Sequence, residues 1–159
     1  MNSHWLMKSE PHTASIDHLA AAPRHTLAWT GVRNYQARNF MRDTMQHGDG
    51  VLFYHSSCPQ PGIAGIARVV GQVQPDPTQF DATSPYFDAK SRPEPEPPRW
   101  LLRDVALICK TRLLTLLEMR AAPALASMQV LRRGNRLSIT PVTPAEWRAV
   151  LALLDSPAA

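Results

Sequence analysis

The chain has 159 residues, enough for one buried core and short for two, because at this size about 70% of the extended-chain surface is buried on folding. Its 44% hydrophobic content excludes wholesale disorder, and no apolar run approaches the roughly 20 residues of a membrane-spanning helix. There are 17 Lys+Arg against 13 Asp+Glu, a net charge of +4, and every cation other than Lys8, Lys90 and Lys110 is arginine. Arginine carries a planar fork of donors suited to phosphates and base edges, so the balance favours an anionic partner without fixing one. The opening MNSHWLMKSEP lacks the apolar core of a signal peptide, and a cytoplasmic location is expected. Cys58 and Cys109 make no disulfide framework and are expected as free thiols.

Trp5 to Met7 reads as a first strand, stopped by Ser9-Glu10-Pro11. Ser15 is a candidate N-cap for a short helix that carries Ile16 and Leu19 inward, with Asp17 in its first turn. Leu27 to Gly31 reads as turn-like. A helix is expected from about Asn34 to Met45, with Ala37, Phe40, Met41 and Met45 at helical spacing and Asn34, Arg38 and Arg42 on a separate stripe. Gly48-Asp49-Gly50 is a turn, and Val51 to Ser56 alternates as a strand. If Val51 and Phe53 face the core, Tyr54 and Ser56 can line a cleft.

Ile63 to Val73 is a long strand in which Gly65 and Gly71 mark bends or close approaches. Pro75 to Pro98, with its SRPEPEPP run, is a surface excursion that needs no regular structure. Trp100 to Cys109 is the strongest strand. Thr115 and Glu118 form a capping box, a helical turn follows Pro123, and Arg136 to Ile139 reads as a short strand. Thr143 and Glu146, with Pro144 between them, form a second capping box. Its helix would pack Trp147, Val150, Leu151 and Leu154 on one side. Five or six strands with irregular helices and no βαβ rhythm predict one α+β domain with a curved or barrel-like sheet.

Catalytic patterns are absent. Asp49, His55 and Ser56 are the residue types of a hydrolytic triad, but sequence neighbours do not make its geometry. His55-Ser-Ser-Cys58 offers two metal-ligand types without a second pair at zinc spacing. There is no G-x-S-x-G elbow, no G-x-G-x-x-G and no Walker loop. No catalytic residue, metal or cofactor is expected.

Trp29-Thr-Gly-Val-Arg-Asn-Tyr-Gln-Ala-Arg-Asn-Phe-Met-Arg42 is different in kind. It sets an aromatic ring beside a turn and then three arginines and two asparagines within ten residues. A ring can stack a base, asparagine can donate to and accept from a base edge, and arginines at a helix start add to amides that favour anions. The same residues also read as a plain amphipathic surface helix with Trp29 in the core. Lys8 is likewise open between a surface pair with Glu10 and a donor to a base or phosphate. Arg136 is open between a solvated turn and a backbone contact. Trp5, Trp100 and Trp147 read as core.

Several blocks resemble, in order, the motifs of the EVE domain family: Trp5-Leu-Met-Lys-Ser-Glu-Pro11, Trp29-x-Gly-Val-Arg-Asn-Tyr-Gln-Ala-Arg-Asn39, Phe53-Tyr-His-Ser56, Pro61-Gly-Ile-Ala-Gly65 and Arg136-Leu-Ser-Ile139. The likeness runs from residue 5 to about 154. It implies a PUA-like fold, a twisted barrel-like mixed β-sheet with flanking helices, and a single EVE domain over 1–159.

The resemblance also implies a non-catalytic module that reads a modified nucleobase, a modified cytosine in DNA or a base in RNA. The pocket it implies is formed by Lys8, Ser9, Trp29, Gly31, Val32, Asn34, Tyr54 and Ser56. Arg33, Arg38, Arg42 and Arg136 would hold flanking phosphates. Where the family generally has an acidic residue after the second Trp, this chain has Thr30. An ASCH-like nuclease is the alternative, with Lys8, Glu10, Asp49 and His55 as the nearby acid–base candidates, and a protein-interaction module is a third. A base cannot enter such a pocket from within a duplex; it must be single-stranded or flipped, at a cost of a few kcal/mol.

Overall fold

A computed structural model describes residues 2–93 and 97–155; the middle of the SRPEPEPP run lies outside them. Six strands form one mixed sheet: β1 (His4–Ser9), β2 (Thr26–Ala28), β3 (Gly50–His55), β4 (Gly62–Pro75), β5 (Leu101–Thr115) and β6 (Ile139–Val142), in the order β2-β5-β4-β3-β1-β6. β1 runs parallel to β3, and the other neighbours are antiparallel.

Central position explains why β1 and β3 are apolar at consecutive residues instead of alternating. Trp5, Met7, Val51 and Phe53 enter one core cluster, while Leu6, Leu52 and Tyr54 enter a second on the opposite face. Two buried faces remove the need for a polar one. The first cluster is covered by α1 (Ile16–Ala21) and α2 (Tyr35–Asn39), the second by α3 (Leu116–Ala121) and α4 (Pro144–Asp155).

Register shifts between Ile63/Gly65, Ile66/Ala67 and Val70/Gln74 in the β4–β5 ladder bend the two long strands, as bulges do. Gly65 lets α1 lie against this bend, since a Cβ there would come within 2.4 Å of Ile16 Cδ1. Ser15 caps α1 as its sequence predicts, and the Thr115/Glu118 and Thr143/Glu146 boxes form.

Five elements depart from the sequence reading, the simplest being β5, which runs six residues beyond the expected end at Cys109 to Thr115. Thr26–Ala28 is an edge strand paired with Asp104–Ala106 and not a turn; three residues are too few to show a period. The helix expected to reach Met45 is α-helical only through Asn39, then widens into a π-turn over Phe40–Thr44, closed by Met45 N–H on Phe40 C=O at 2.8 Å. The buried Arg103 guanidinium holds this end by donating to the carbonyls of Met41 and Met45. The last strand begins at Ile139, because Arg136 to Ser138 forms the approach to it. In α4, Leu151 is exposed and Leu153 joins Trp147, Val150 and Leu154 on the packed side. Among the described residues no helix is long and apolar enough to cross a membrane.

Candidate functional site

The parallel pairing of β1 and β3 brings their C-terminal ends together, with Lys8 opposite Tyr54 and Ser9 opposite His55. β1 and β3 continue to hold one another at their ends, Ser56 N–H donating to Ser9 C=O at 2.9 Å, while Lys8 N–H donates to Ser138 C=O at 2.8 Å on the approach to β6. The Ser9 hydroxyl donates to Ala14 C=O at 2.6 Å and pins the loop into α1. A cleft of about 580 Å³ opens above these ends, within the usual range for small-ligand sites. Its floor and sides are Lys8 to Glu10, Trp29 to Val32, Ser56 and Ser57, with Arg136, Ser138 and Tyr86 at the rim. Ser57 has a φ of +53°, a left-handed conformation that is uncommon outside glycine, at the wall of the cleft.

Trp29 extends the β2–β5 pairing by one residue, its N–H donating to Arg103 C=O at 2.8 Å. Its indole meets Phe53 edge-on at 5.3 Å and 77°, so the ring is fixed by the first core while it also lines the cleft. The wall beyond it turns at Gly31 (φ +85°), whose N–H donates to Asp76 at 2.8 Å. Asp76 is fully buried and also accepts from the Thr78 amide, the Thr78 hydroxyl and Arg33. Burial alone would raise its carboxyl, but the hydrogen bonds from Thr78, Gly31 and Arg33 outweigh that and hold it below the ordinary value. Arg33 is saturated: its five N–H groups go to Tyr86 C=O twice, Val32 C=O, Asp76 and Thr78.

Lys8 is the electrostatic feature of the cleft. Its side chain is partly buried, and that burial lowers the ammonium pKa with no opposing charge. Of the two readings open for Lys8, the surface pair with Glu10 is not formed; Glu10 lies 3.3 Å from His12, and among the described residues no carboxylate is within ion-pair distance of Lys8.

Of the residues singled out from sequence, Lys8, Ser9, Trp29, Gly31, Val32, Ser56 and Arg136 share this one cleft. Two others do not line it. Tyr54 packs in the second core at 3% exposure, on the same face as Leu52, because both faces of β3 are buried. Asn34 caps α2, its Oδ1 accepting from Ala37 N–H at 3.0 Å. Arg33 stands behind the wall, Arg38 hydrogen bonds to Asn39 and Arg99, and Arg42 pairs with Asp43 on the surface. The stripe of arginines is therefore largely engaged within the chain.

The triad geometry is also absent. Asp49 sits at the opposite end of β3, accepting from Trp5 Nε1, Ser3 and Gln46, while His55 Nε2 accepts from Ile16 N–H. Among the described residues no three His, Cys, Asp or Glu side chains converge as a metal site, and Cys58 and Cys109 are free. Sequence reading missed Tyr86 and Asp76. The Asp76-Pro-Thr78 cap is a legible signal, since Asp76 accepts from Thr78 N–H with Pro77 at the first position. Tyr86 gave none.

A family model described as the EVE domain matches residues 3–153. Human thymocyte nuclear protein 1 is 40% identical over 170 residues, covering 96% of this chain and 74% of that protein. A crystal structure of a protein from Pseudomonas putida superposes with a TM-score of 0.88 at 47% identity, covering 95% of this chain and 99% of that one. The human THYN1 protein in complex with 5-methylcytosine containing DNA superposes with a TM-score of 0.91 at 39% identity, covering 99% of this chain and 100% of that one. The α+β, PUA-like architecture is common to them. The chain belongs to the EVE domain family.

Proposed function

We propose that this chain binds nucleic acid and takes a modified nucleobase into the cleft between the ends of β1 and β3 and the Trp29–Val32 wall, without turning it over. The observation that carries the reading is Lys8, a partly buried ammonium with no carboxylate partner among the described residues, set in the same cleft as the indole of Trp29. An uncompensated buried cation is costly until an acceptor or anion meets it. A base carbonyl or phosphate oxygen does so, and a base also gives Trp29 a face to stack on, worth about 1–3 kcal/mol. Ser9 and Ser56 supply further polar atoms, Gly31 and Val32 shape the wall, and Arg136 at the rim is the phosphate contact. The human relative solved with 5-methylcytosine containing DNA supports a modified cytosine as the ligand class. Among the described residues Glu10 is the one carboxylate lining the cleft, which suits binding better than acid–base hydrolysis.

Extrahelical or single-stranded cytosine is the accessible form, because flipping costs a few kcal/mol. Titration of single strands and duplexes, as DNA and as RNA, with one 5-methylcytosine or one cytosine, tests the reading in wild type and Lys8→Met. Tighter binding of the methylated strand by wild type, lost in Lys8→Met at unchanged thermal stability, is expected. Equal affinity for all strands in both proteins would sink it.

A further inference from the structure

Outside the cleft, the ring of Tyr35 stands at the surface and joins neither core cluster. It is 53% exposed at the first position of α2, although it belongs to an ordered stack. Trp100 lies parallel to it at 4.8 Å and 26°, the Arg33 guanidinium is 5.5 Å from Trp100, and Tyr86, at the rim of the cleft, is 5.7 Å from Arg33. The stack thus runs from the cleft to the protein surface and ends on Tyr35.

Among the described residues, Trp100 and Arg38 are the ring and the cation that contact Tyr35, which remains 53% exposed. Arg38 lies 4.8 Å from the Tyr35 ring and 6.0 Å from Trp100. Were Arg38 across Tyr35 from Trp100, it would be about twice the ring spacing away from Trp100, so it stands on the Trp100 side. Trp100 is itself fixed by Nε1–H donating to Asp88 at 2.8 Å, and Asn34 caps α2, so the ring is held in place before any ligand arrives. Three hydrogen bonds occupy Arg38, to Asn39 twice and to Arg99 once, so that among the described residues two of its five N–H groups have no acceptor.

We infer that the face of Tyr35 turned away from Trp100 is a second stacking platform, which takes a base neighbouring the one held in the cleft, with Arg38 meeting the intervening phosphate. The inference rests on the cleft being a base site. A preorganised aromatic face next to guanidinium donors fits a nucleotide, whose base stacks while its phosphate is neutralised. An apolar peptide would satisfy the ring and leave Arg38 unused.

The test uses a short oligothymidine strand with one central 5-methylcytosine, and versions in which the nucleotide on either side of it is abasic. 5-Methyldeoxycytidine monophosphate reports on the cleft alone. In wild type, removing the base on one side should weaken binding about fivefold to a hundredfold. In Tyr35→Leu, which keeps an apolar cover on Trp100, the same removal should cost nothing further, while Tyr35→Phe behaves as wild type. The monophosphate should bind all three proteins equally. If the monophosphate binds but neither abasic strand is weakened, or Tyr35→Leu loses as much as wild type on base removal, the platform is refuted and the cleft reading survives. If wild type binds neither the strand nor the monophosphate, both fall.

Discussion

The tip of the Tyr86 ring rests on Gly31, so closely that a Cβ at Gly31 would lie 2.7–2.8 Å from three ring carbons. Gly31 also has a φ of +85°, which L side chains rarely adopt. Both effects oppose any side chain there. Gly31→Ala is expected to cost about 2 kcal/mol or more, a fall in Tm of roughly 4–8 °C at this chain length. Because Tyr86 must move from the rim of the cleft, ligand affinity should fall as well. Thermal unfolding with and without a cleft ligand measures both, and a Gly31→Ala protein as stable as wild type would contradict the contact.

Behind that wall, Asp76 links Gly31, Thr78 and Arg33. Its folded pKa lies below its unfolded value, so its stabilisation is complete above the ordinary carboxylate value of 3.8 and is lost as pH falls through the lower folded value. Asp76→Asn removes the charge opposite Arg33 and should cost about 3 kcal/mol at neutral pH. It should also flatten the stability loss in that acid window. Urea midpoints for both proteins from neutral pH down through the carboxylate range check the sign: parallel curves would assign the acid sensitivity to other groups.

These two relationships show where the sequence was and was not informative. The first strand and the Ser15, Thr115 and Thr143 caps follow from local pattern, whereas the meeting of Lys8–Ser9 with Trp29–Val32 and Ser56 was implied by the family resemblance alone. Strand alternation misled at Tyr54, because it assumes one polar face and β3 has none. Helical spacing placed Asn34, Arg38 and Arg42 on one stripe but said nothing of the arginines' long-range acceptors. Those of Arg33 and Arg38 include Asp76, Tyr86 and Arg99, 43 to 61 positions away, whereas Arg42 pairs with the adjacent Asp43. Tyr86 lies in a Pro-rich stretch whose long-range contacts no local signal announces.

Burial pulls the Lys8 ammonium below its ordinary value of 10.5, so the folded state resists its protonation. That penalty is present in full below the folded pKa and fades as pH rises toward 10.5. A bound anion or carbonyl reverses the preference. Binding should therefore take up protons on the alkaline side and weaken there as Lys8 discharges. Affinity for the methylated strand, measured across alkaline pH in wild type and Lys8→Met, should slope in the first and stay flat in the second. Matching profiles would remove Lys8 from the ligand.

Arg136 and Arg42 separate phosphate contacts from surface charge. Arg42 is held by Asp43 through bonds of 2.8 and 2.9 Å, both side chains being exposed, so the pair presents little net charge. Arg136 is exposed at the rim of the cleft with no carboxylate within ion-pair distance among the described residues. A cation that meets a phosphate releases a counterion, which appears in the slope of log affinity against log salt. Arg136→Gln should weaken binding to methylated and plain strands alike and reduce that slope by about 1, whereas Arg42→Gln should leave it unchanged. If Arg42→Gln lowers the slope and Arg136→Gln does not, the strand passes over the Arg42 surface and the phosphate path over the rim is wrong.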